Sequence, residues 1–253
     1  MAIVNFLLLS LLATPLRTKF PQQRAFGVIF DMDGTLIQPC IDFAEMRRRI
    51  YDVASEDLGR PVLQGDVIKL FPSLSPSGQA KANEIFAEIE AKAKKDMKIM
   101  PGMFELCDFL DENRINRALL TRNVVDSVDY MYDNFMKTKG MRKFDPQVAR
   151  DSLDERGNII IAKPQPDAIH YICRQWNCSP SQVIMVGDSD KDDIVAGNRA
   201  GCGATVHLKT GIDNDSGNGG ESDTFERKPT LEISTLSELQ LILEEHHSPT
   251  MAT

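Results

Sequence analysis

Basic residues are in the minority in this 253-residue chain: 29 Lys and Arg stand against 37 Asp and Glu, a formal charge of -8. A general nucleic-acid binder draws its affinity from basic patches laid against phosphates, so that class is excluded and any phosphate the protein handles is a small one. Five cysteines, Cys40, Cys107, Cys173, Cys178 and Cys202, are odd in number and include no C-x-x-C pair. They read as reduced thiols rather than a disulfide framework or a zinc site. His170, His207, His246 and His247 form no ligand spacing and are expected to be structural or exposed. There are no internal repeats, and no apolar run is long enough for a bilayer. The densest, "IVNFLLLSLL" at residues 3–12, falls short of the roughly 30 Å of hydrocarbon that a span must cross.

That run has the length of a signal-peptide core, although no Lys or Arg precedes it. Arg17, Lys19 and Arg24 come after it with no acidic residue before Asp31. Residues 1–24 therefore read as a cleaved leader, organellar (plastid or mitochondrion) or secretory, against the alternative of an extra helix on a cytoplasmic protein. Folding is expected to begin near Phe26. The chain from there onward suits one good-sized core with a modest insertion, and a composition of 42% hydrophobic and 26% charged residues excludes a disordered or membrane protein.

Short apolar runs at Val28–Phe30, Ala118–Leu120, Val183–Val186 and Ala204–Leu208 alternate with helical pattern, the signature of an α/β fold with a Rossmann-like, doubly wound parallel sheet. Met103, Leu106, Cys107 and Leu110 recur at i, i+3, i+4 and i+7 and predict a helix leading into the second run. Leu231–Ile233 predicts an edge strand, followed by Ser234 or Thr235 as N-cap of a helix through Glu244, with "HHSPTMAT" frayed. "TGIDNDSGNGGESDTFERKP", from residue 210, lacks periodicity and reads as a mobile loop. Residues 38–98 break the alternation: "IDFAEMRRRIYDVA" and "QAKANEIFAEIEAKAKKDM" are helical, with "LGRPVLQGD" and "LFPSLSPSG" as turns. They are expected to form a small helical cap, a candidate lid, inserted into a core of residues 25–37 and 99–253.

Polar residues collect where the apolar runs end. Asp31 and Asp33 come after the first, in "VIFDMDGTL"; Thr121, Arg122 and Asn123 after the second; "VGDSDKDD" supplies Asp188, Asp190, Asp192 and Asp193; Lys163 lies between, in "AKPQPD". Carboxylates gathered at one sheet edge repel one another unless a cation compensates, and hard oxygen ligands suit Mg²⁺ better than zinc. Residues i and i+2 of a strand share a face about 6–7 Å apart, so the carboxylates of Asp31 and Asp33 can flank one reacting group. Plainer accounts exist for single residues. Asp33-Gly34 can begin a turn, Asp193 can N-cap the helix that ends near Gly201, and Lys163 can be a solvated lysine. Arg47, Arg48 and Arg49 in the insertion can line a solvated helix face or reach a substrate's distal anion.

Taken in order, D-x-D-G-T at Asp31 to Thr35, strand-terminal Thr121, Lys163, and G-D-S with a following acid from Gly187 resemble the four motifs of the haloacid dehalogenase-like (HAD) hydrolase superfamily. "KIMPG", "ALLTRN" and "KPQPD" add to the likeness, which runs from about residue 26 to residue 210. The nearest subgroup is that of small-helical-cap phosphatases, phosphoglycolate-phosphatase-like members included. The resemblance implies a Mg²⁺-dependent phosphatase that hydrolyses a small phosphomonoester through an aspartyl-phosphate. Asp31 would be the nucleophile, Asp33 the general acid/base, and Lys163 a charge on the same oxygens. Gly34, Thr121, Arg122 and Lys163 would hold the phosphate, with Gly34 admitting close approach of the backbone. The metal would be held by Asp31, the backbone carbonyl of Asp33, Asp188 and either Asp193 or, one residue earlier, Asp192. A phosphomutase of the same superfamily is the alternative, and an inert phosphate-ligand binding protein a more distant one that the presence of Asp31 and Asp188 disfavours. Asp33 argues against the dehalogenase reaction, which needs no proton donor there. No partner beyond the small substrate is expected, and the protein is expected to be monomeric.

Overall fold

The computed structural model describes residues 25–209 and 225–247. The expected leader and residues 210–224 of the expected loop lie outside the described residues. The chain divides into two compact units, residues 39–98 and the remainder.

The larger unit is built on a parallel sheet of six strands: β1 (Gly27–Phe30), β2 (Asn116–Leu120), β3 (Gln147–Val148), β4 (Val183–Gly187), β5 (Ala204–Leu208) and β6 (Leu231–Ile233), in the order β3-β2-β1-β4-β5-β6. β1 lies between β2 and β4, with Ile29 opposite both Ala118 and Met185. Every residue of β1 and β4 is buried, because helices cover both faces, and this is why these strands read as unbroken apolar runs. The two-residue β3, held to β2 through Leu119 and Leu120, was not expected; two residues carry no periodicity to detect.

Helices of this unit include α3 (Met103–Glu112), α4 (Val125–Met131) and α5 (Asp167–Trp176). Met103, Leu106, Cys107 and Leu110 are all buried on α3, as their spacing predicts. On α5 the apolar positions Ile169, Ile172 and Cys173 join Ile29, Leu120 and Met185 in the core. Trp176 closes this contact: a Cβ on Gly27 would lie 2.4 Å from its ring, so only glycine fits at the start of β1. The last helix, α7 (Leu236–His247), is capped by Thr235, whose Oγ1 accepts from Glu238 N at 3.2 Å. It runs past Glu244, so His246 and His247 belong to it rather than to a frayed end. Part of the expected mobile loop is tethered. Arg199 pairs with Glu226 at 2.7 Å, and Asn198 Nδ2 donates to Glu226 O at 2.6 Å and Lys228 O at 3.0 Å.

On β2, Arg117, 3% exposed, donates to Asp111 through Nε at 2.9 Å and to Arg142 O at 2.9 Å, and lies 4.7 Å from the centre of the Phe144 ring. A guanidinium this buried requires such partners. All five cysteines are free thiols. Among the described residues no helix is long and apolar enough to cross a membrane.

Residues 39–98 form a helical hairpin of α1 (Phe43–Leu58) and α2 (Pro76–Asp96) around Met46, Ile50, Ala54, Leu74, Ala82, Ile85 and Ile89. Arg49 pairs with Glu88 at 2.7 Å and Lys81 with Glu56 at 2.9 Å, so the two helices run antiparallel. The stretch read as the turn "LFPSLSPSG" is largely helical: Val67–Leu70 and Phe71–Ser73 form short turns of helix, and α2 begins at Pro76 with Ser75 as its N-cap. Pro76 suits that place because the first turn needs no N–H from it. Arg48 is held by Glu45 at 2.8 Å. The chain leaves the sheet unit and returns to it at one point, where Ile37 bridges Ile99 and Met100 N donates to Leu36 O at 2.9 Å.

Candidate active site

Strand order reverses between β1 and β4, and an open sheet of this kind receives ligands at the carboxyl ends of the strands beside such a reversal. Asp31 N donates to Val186 O at 2.9 Å, continuing the ladder one residue past β1. The chain then turns: Met32 O accepts from Leu36 N at 2.9 Å and Ile37 N at 3.0 Å. A bend at Met32 separates Asp33 from β1, and Asp33 forms an isolated bridge with Ile37, so the pleat of β1 alone does not set the relation of Asp31 to Asp33. The two carboxylates are within electrostatic reach of each other.

Gly34 occupies that turn at φ 79°, left-handed backbone that a side chain disfavours. A Cβ there would also lie 2.0 Å from Asp188 Oδ2. The neighbour that excludes a side chain at Gly34 is thus a carboxylate of the site itself. Gly187 has the same relation to the next acid: its Cβ would lie 2.1 Å from Asp193 Oδ2.

After β4, Ser189 caps a wide turn, Asp190–Ile194, that leads into α6 (Val195–Ala200). Ser189 Oγ accepts from Asp192 N at 3.1 Å, while Ser189 O accepts from Asp193 N at 3.0 Å and Ile194 N at 3.2 Å. Asp193 is not the N-cap; Ser189 is. Asp193 is 1% exposed, and its carboxylate accepts from Ser189 N at 3.0 Å and meets Lys163 Nζ at 2.6 Å. Asp192 faces elsewhere and pairs with Arg122 at 2.7 Å. Carboxylate oxygens of Asp31, Asp188 and Asp193 lie within 4.8 Å of one another.

Lys163, 4% exposed, enters this cluster from the loop before α5, with Nζ 2.5 Å from Asp31 Oδ1. It is not a solvated lysine. Thr121, 1% exposed, stands at the end of β2, and its Oγ1 accepts from Asn123 N at 3.0 Å. Asn123 Nδ2 in turn donates to Asp33 Oδ2 at 3.3 Å.

The charges are unbalanced. Burial raises the Asp31 carboxyl well above the usual carboxylate range; Lys163 opposes the shift, and Asp193, Asp188 and Asp33 add to it. Burial, followed by Asp193, lifts Asp188 to about 7 against the pull of Lys163. Lys163 stays charged: burial works against its proton, but Asp193 and Asp31 raise its pKa above the ordinary lysine value. Three clustered carboxylates with one ammonium leave excess negative charge, and all-oxygen donors with no histidine or thiol suit a hard divalent cation.

Asp31, Asp33, Thr121, Lys163, Asp188 and Asp193 gather at one end of the sheet, while Arg122 and Asp192 pair with each other. Four residues that hold this arrangement received no role from the sequence. Gly187 and Ser189 belong to the G-D-S motif, but what each does for the neighbouring acids is visible only once the turn is known. Asn123 is polar just past an apolar strand, which is a usable signal. His207, read only as structural or exposed, contacts Asp188 O through Nε2 at 3.0 Å and, facing a carbonyl, must be the donor.

A family model described as haloacid dehalogenase-like hydrolase matches residues 27–201. A haloacid dehalogenase-like hydrolase domain-containing protein of Arabidopsis thaliana is 38% identical over 229 residues, covering 87% of this chain and 84% of its own length. The phosphoglycolate phosphatase of Haemophilus influenzae is 26% identical, covering 72% of this chain and 84% of its own. Among solved structures, a predicted phosphoglycolate phosphatase from Haemophilus somnus superposes with a TM-score of 0.59 at 19% identity, over 87% of this chain and 98% of that one, a likeness of fold.

Proposed function

This chain belongs to the haloacid dehalogenase-like hydrolase family and is a hydrolase; from that premise we propose that it is a phosphatase of small phosphomonoesters with Asp31 as nucleophile. The observation that carries the reading is the buried Lys163, held 2.5 Å from Asp31 and 2.6 Å from Asp193. A fixed ammonium among carboxylates offsets charge where a second anion, the phosphoryl group, must approach.

An oxygen of Asp31 forms a bond to phosphorus as the bond to the leaving oxygen breaks, and Asp33 gives that oxygen its proton. Water then attacks the aspartyl-phosphate, Asp33 takes the water's proton, and the bond from phosphorus to Asp31 breaks to release inorganic phosphate. Thr121 Oγ1 accepts from Asn123 N, so its own proton can be donated to a phosphoryl oxygen. Asp31, Asp188 and Asp193, with the backbone carbonyl of Asp33, would hold Mg²⁺. When bound, the ion supplies positive charge to the phosphoryl oxygens that Lys163 alone does not.

The test is phosphate release by the purified protein from phosphoglycolate, sugar phosphates and nucleoside monophosphates, with Mg²⁺ and with excess chelator. Phosphoglycolate is included because the Haemophilus relative is named for it. Turnover is expected only with the metal, and none is expected from folded Asp31→Asn. No release from any substrate refutes the phosphatase reading, and undiminished turnover in chelator refutes the metal's part in it.

A further inference from the structure

We propose that Asn123 is a positioning residue that aims the carboxyl of Asp33 at the leaving-group oxygen; the inference rests on the phosphatase reading above. Asp33 belongs to the turn after β1 and Asn123 to the loop after β2, and Asn123 Nδ2 donates to Asp33 Oδ2 at 3.3 Å. That distance is slightly beyond the usual range for an N–H···O bond, and contacts to catalytic groups often shorten only when substrate is bound.

The contact gains weight from how firmly Asn123 is held. Its backbone N donates to Thr121 Oγ1 at 3.0 Å, its carbonyl accepts from Arg150 N at 2.8 Å, and its side-chain Oδ1 accepts from Val124 N at 2.9 Å. The last bond settles which end of the amide faces Asp33: an N–H can be met only by the oxygen, so the NH₂ end is turned to the carboxyl. An amide N–H donates and never accepts. A carbonyl or carboxylate oxygen accepts such a bond better than a hydroxyl oxygen does, so the contact favours Oδ2 as the oxygen without a proton and leaves the proton that Asp33 gives and takes on Oδ1. Asn123 also ties the acid/base to Thr121, so one short segment would orient both the proton donor and the phosphate cradle.

A simpler role for Asn123 is to cap the loop before Val125 through the Val124 bond alone, and two variants of the full chain separate the two. Asn123→Asp keeps an oxygen for Val124 N but turns a second oxygen, with no proton, toward Asp33; Asn123→Ala removes both contacts. For wild type and each variant, kcat/KM is measured on p-nitrophenyl phosphate, whose phenolate leaves without needing a proton, and on phosphoglycolate, whose alkoxide needs one. Both variants are expected to lose at least about tenfold more kcat/KM on phosphoglycolate than on p-nitrophenyl phosphate. Equal losses on the two substrates, or a near-wild-type Asn123→Asp, overturn the proposal, as does failure of both variants to fold by circular dichroism. A wild-type protein inactive on p-nitrophenyl phosphate and on every phosphomonoester of the panel above overturns instead the phosphatase reading on which the proposal stands, and where another alkyl phosphate of that panel is the one turned over it takes the place of phosphoglycolate.

Discussion

Gly187→Ala tests the geometry of the acidic cluster at a residue that carries no functional group. A Cβ at this position would lie 2.1 Å from Asp193 Oδ2, 2.2 Å from Cγ and 2.4 Å from Cβ. Because the overlap reaches Asp193 Cβ, rotating the carboxylate cannot relieve it. Either the turn after β4 shifts, an overpacking cost of about 1–3 kcal/mol, or Asp193 swings away from Lys163 and Ser189, and breaking a buried pair costs about 3–5 kcal/mol. The smaller cost prevails, so a loss of about 2–3 kcal/mol is expected. At 2–4 °C per kcal/mol for a chain of this size, Tm falls by about 4–12 °C. The shift also misplaces Asp193 relative to Asp31 and Asp188, so the Mg²⁺ concentration that half-saturates phosphate release should rise at least about tenfold. Gly157→Ala is the control: at φ 80° with nothing within 4 Å of the added carbon, it should cost only the left-handed strain of about 1–2 kcal/mol and leave the metal requirement alone. Thermal melts in chelator and Mg²⁺ titrations of activity measure the two effects. A Gly187→Ala protein with wild-type Tm and wild-type Mg²⁺ response would show that Asp193 is not held as described.

The ion pairs carry two more expectations. Asp111→Asn should destabilise the protein by about 2–3 kcal/mol, below the range for a fully buried pair because Asp111 is partly open to water, by taking the anionic partner from buried Arg117. The Asp111 carboxyl is held below its ordinary value, burial resisting while hydrogen bonds from Arg117 and Arg142 prevail. The pair's contribution is therefore present above the unfolded carboxyl's pKa of about 3.9 and is lost as pH falls through the lower folded value. The Tm gap between wild type and Asp111→Asn should close in acid, and a gap constant from neutral pH to about pH 3 would refute this. Asp193→Asn should raise the Mg²⁺ requirement more than Asp192→Asn, whose carboxylate serves Arg122 instead; the opposite order in a metal titration of activity would reverse the assignment.

The sheet was legible in the sequence where strands are buried on both faces. β1 and β4 stand out because nothing polar interrupts them, and the helical face of Met103, Leu106, Cys107 and Leu110 because its period is intact across the stretch they span. β3 was not legible: a two-residue edge strand owes its pairing to Leu119 and Leu120 opposite, not to a pattern of its own. The turn reading of "LFPSLSPSG" failed because Pro and Ser carry two meanings. They punctuate loops, but Ser before Pro also suits the N-cap and first position of a helix, as at Ser75 and Pro76.

The ambiguity between Asp192 and Asp193 has a specific physical source. Residue spacing along a chain maps onto direction only when the turn is regular, and the turn after Ser189 is not: Ser189 O accepts from Ile194 N, five residues on, as well as from Asp193 N. Such a widened turn redirects the side chains within it, and a helical period read from the sequence cannot say which of two neighbouring acids faces inward. What decides the matter is steric and electrostatic. Gly187 leaves the space that Asp193 fills, Ser189 N donates to its carboxylate, and Lys163 compensates its charge, while Arg122 draws Asp192 the other way. All of these residues are visible in the sequence, yet the choice emerges only when the loops after β2 and β4 and the loop before α5 are brought together. The same reasoning explains Gly34, where the neighbour that forbids a side chain is Asp188, more than 150 residues away in sequence.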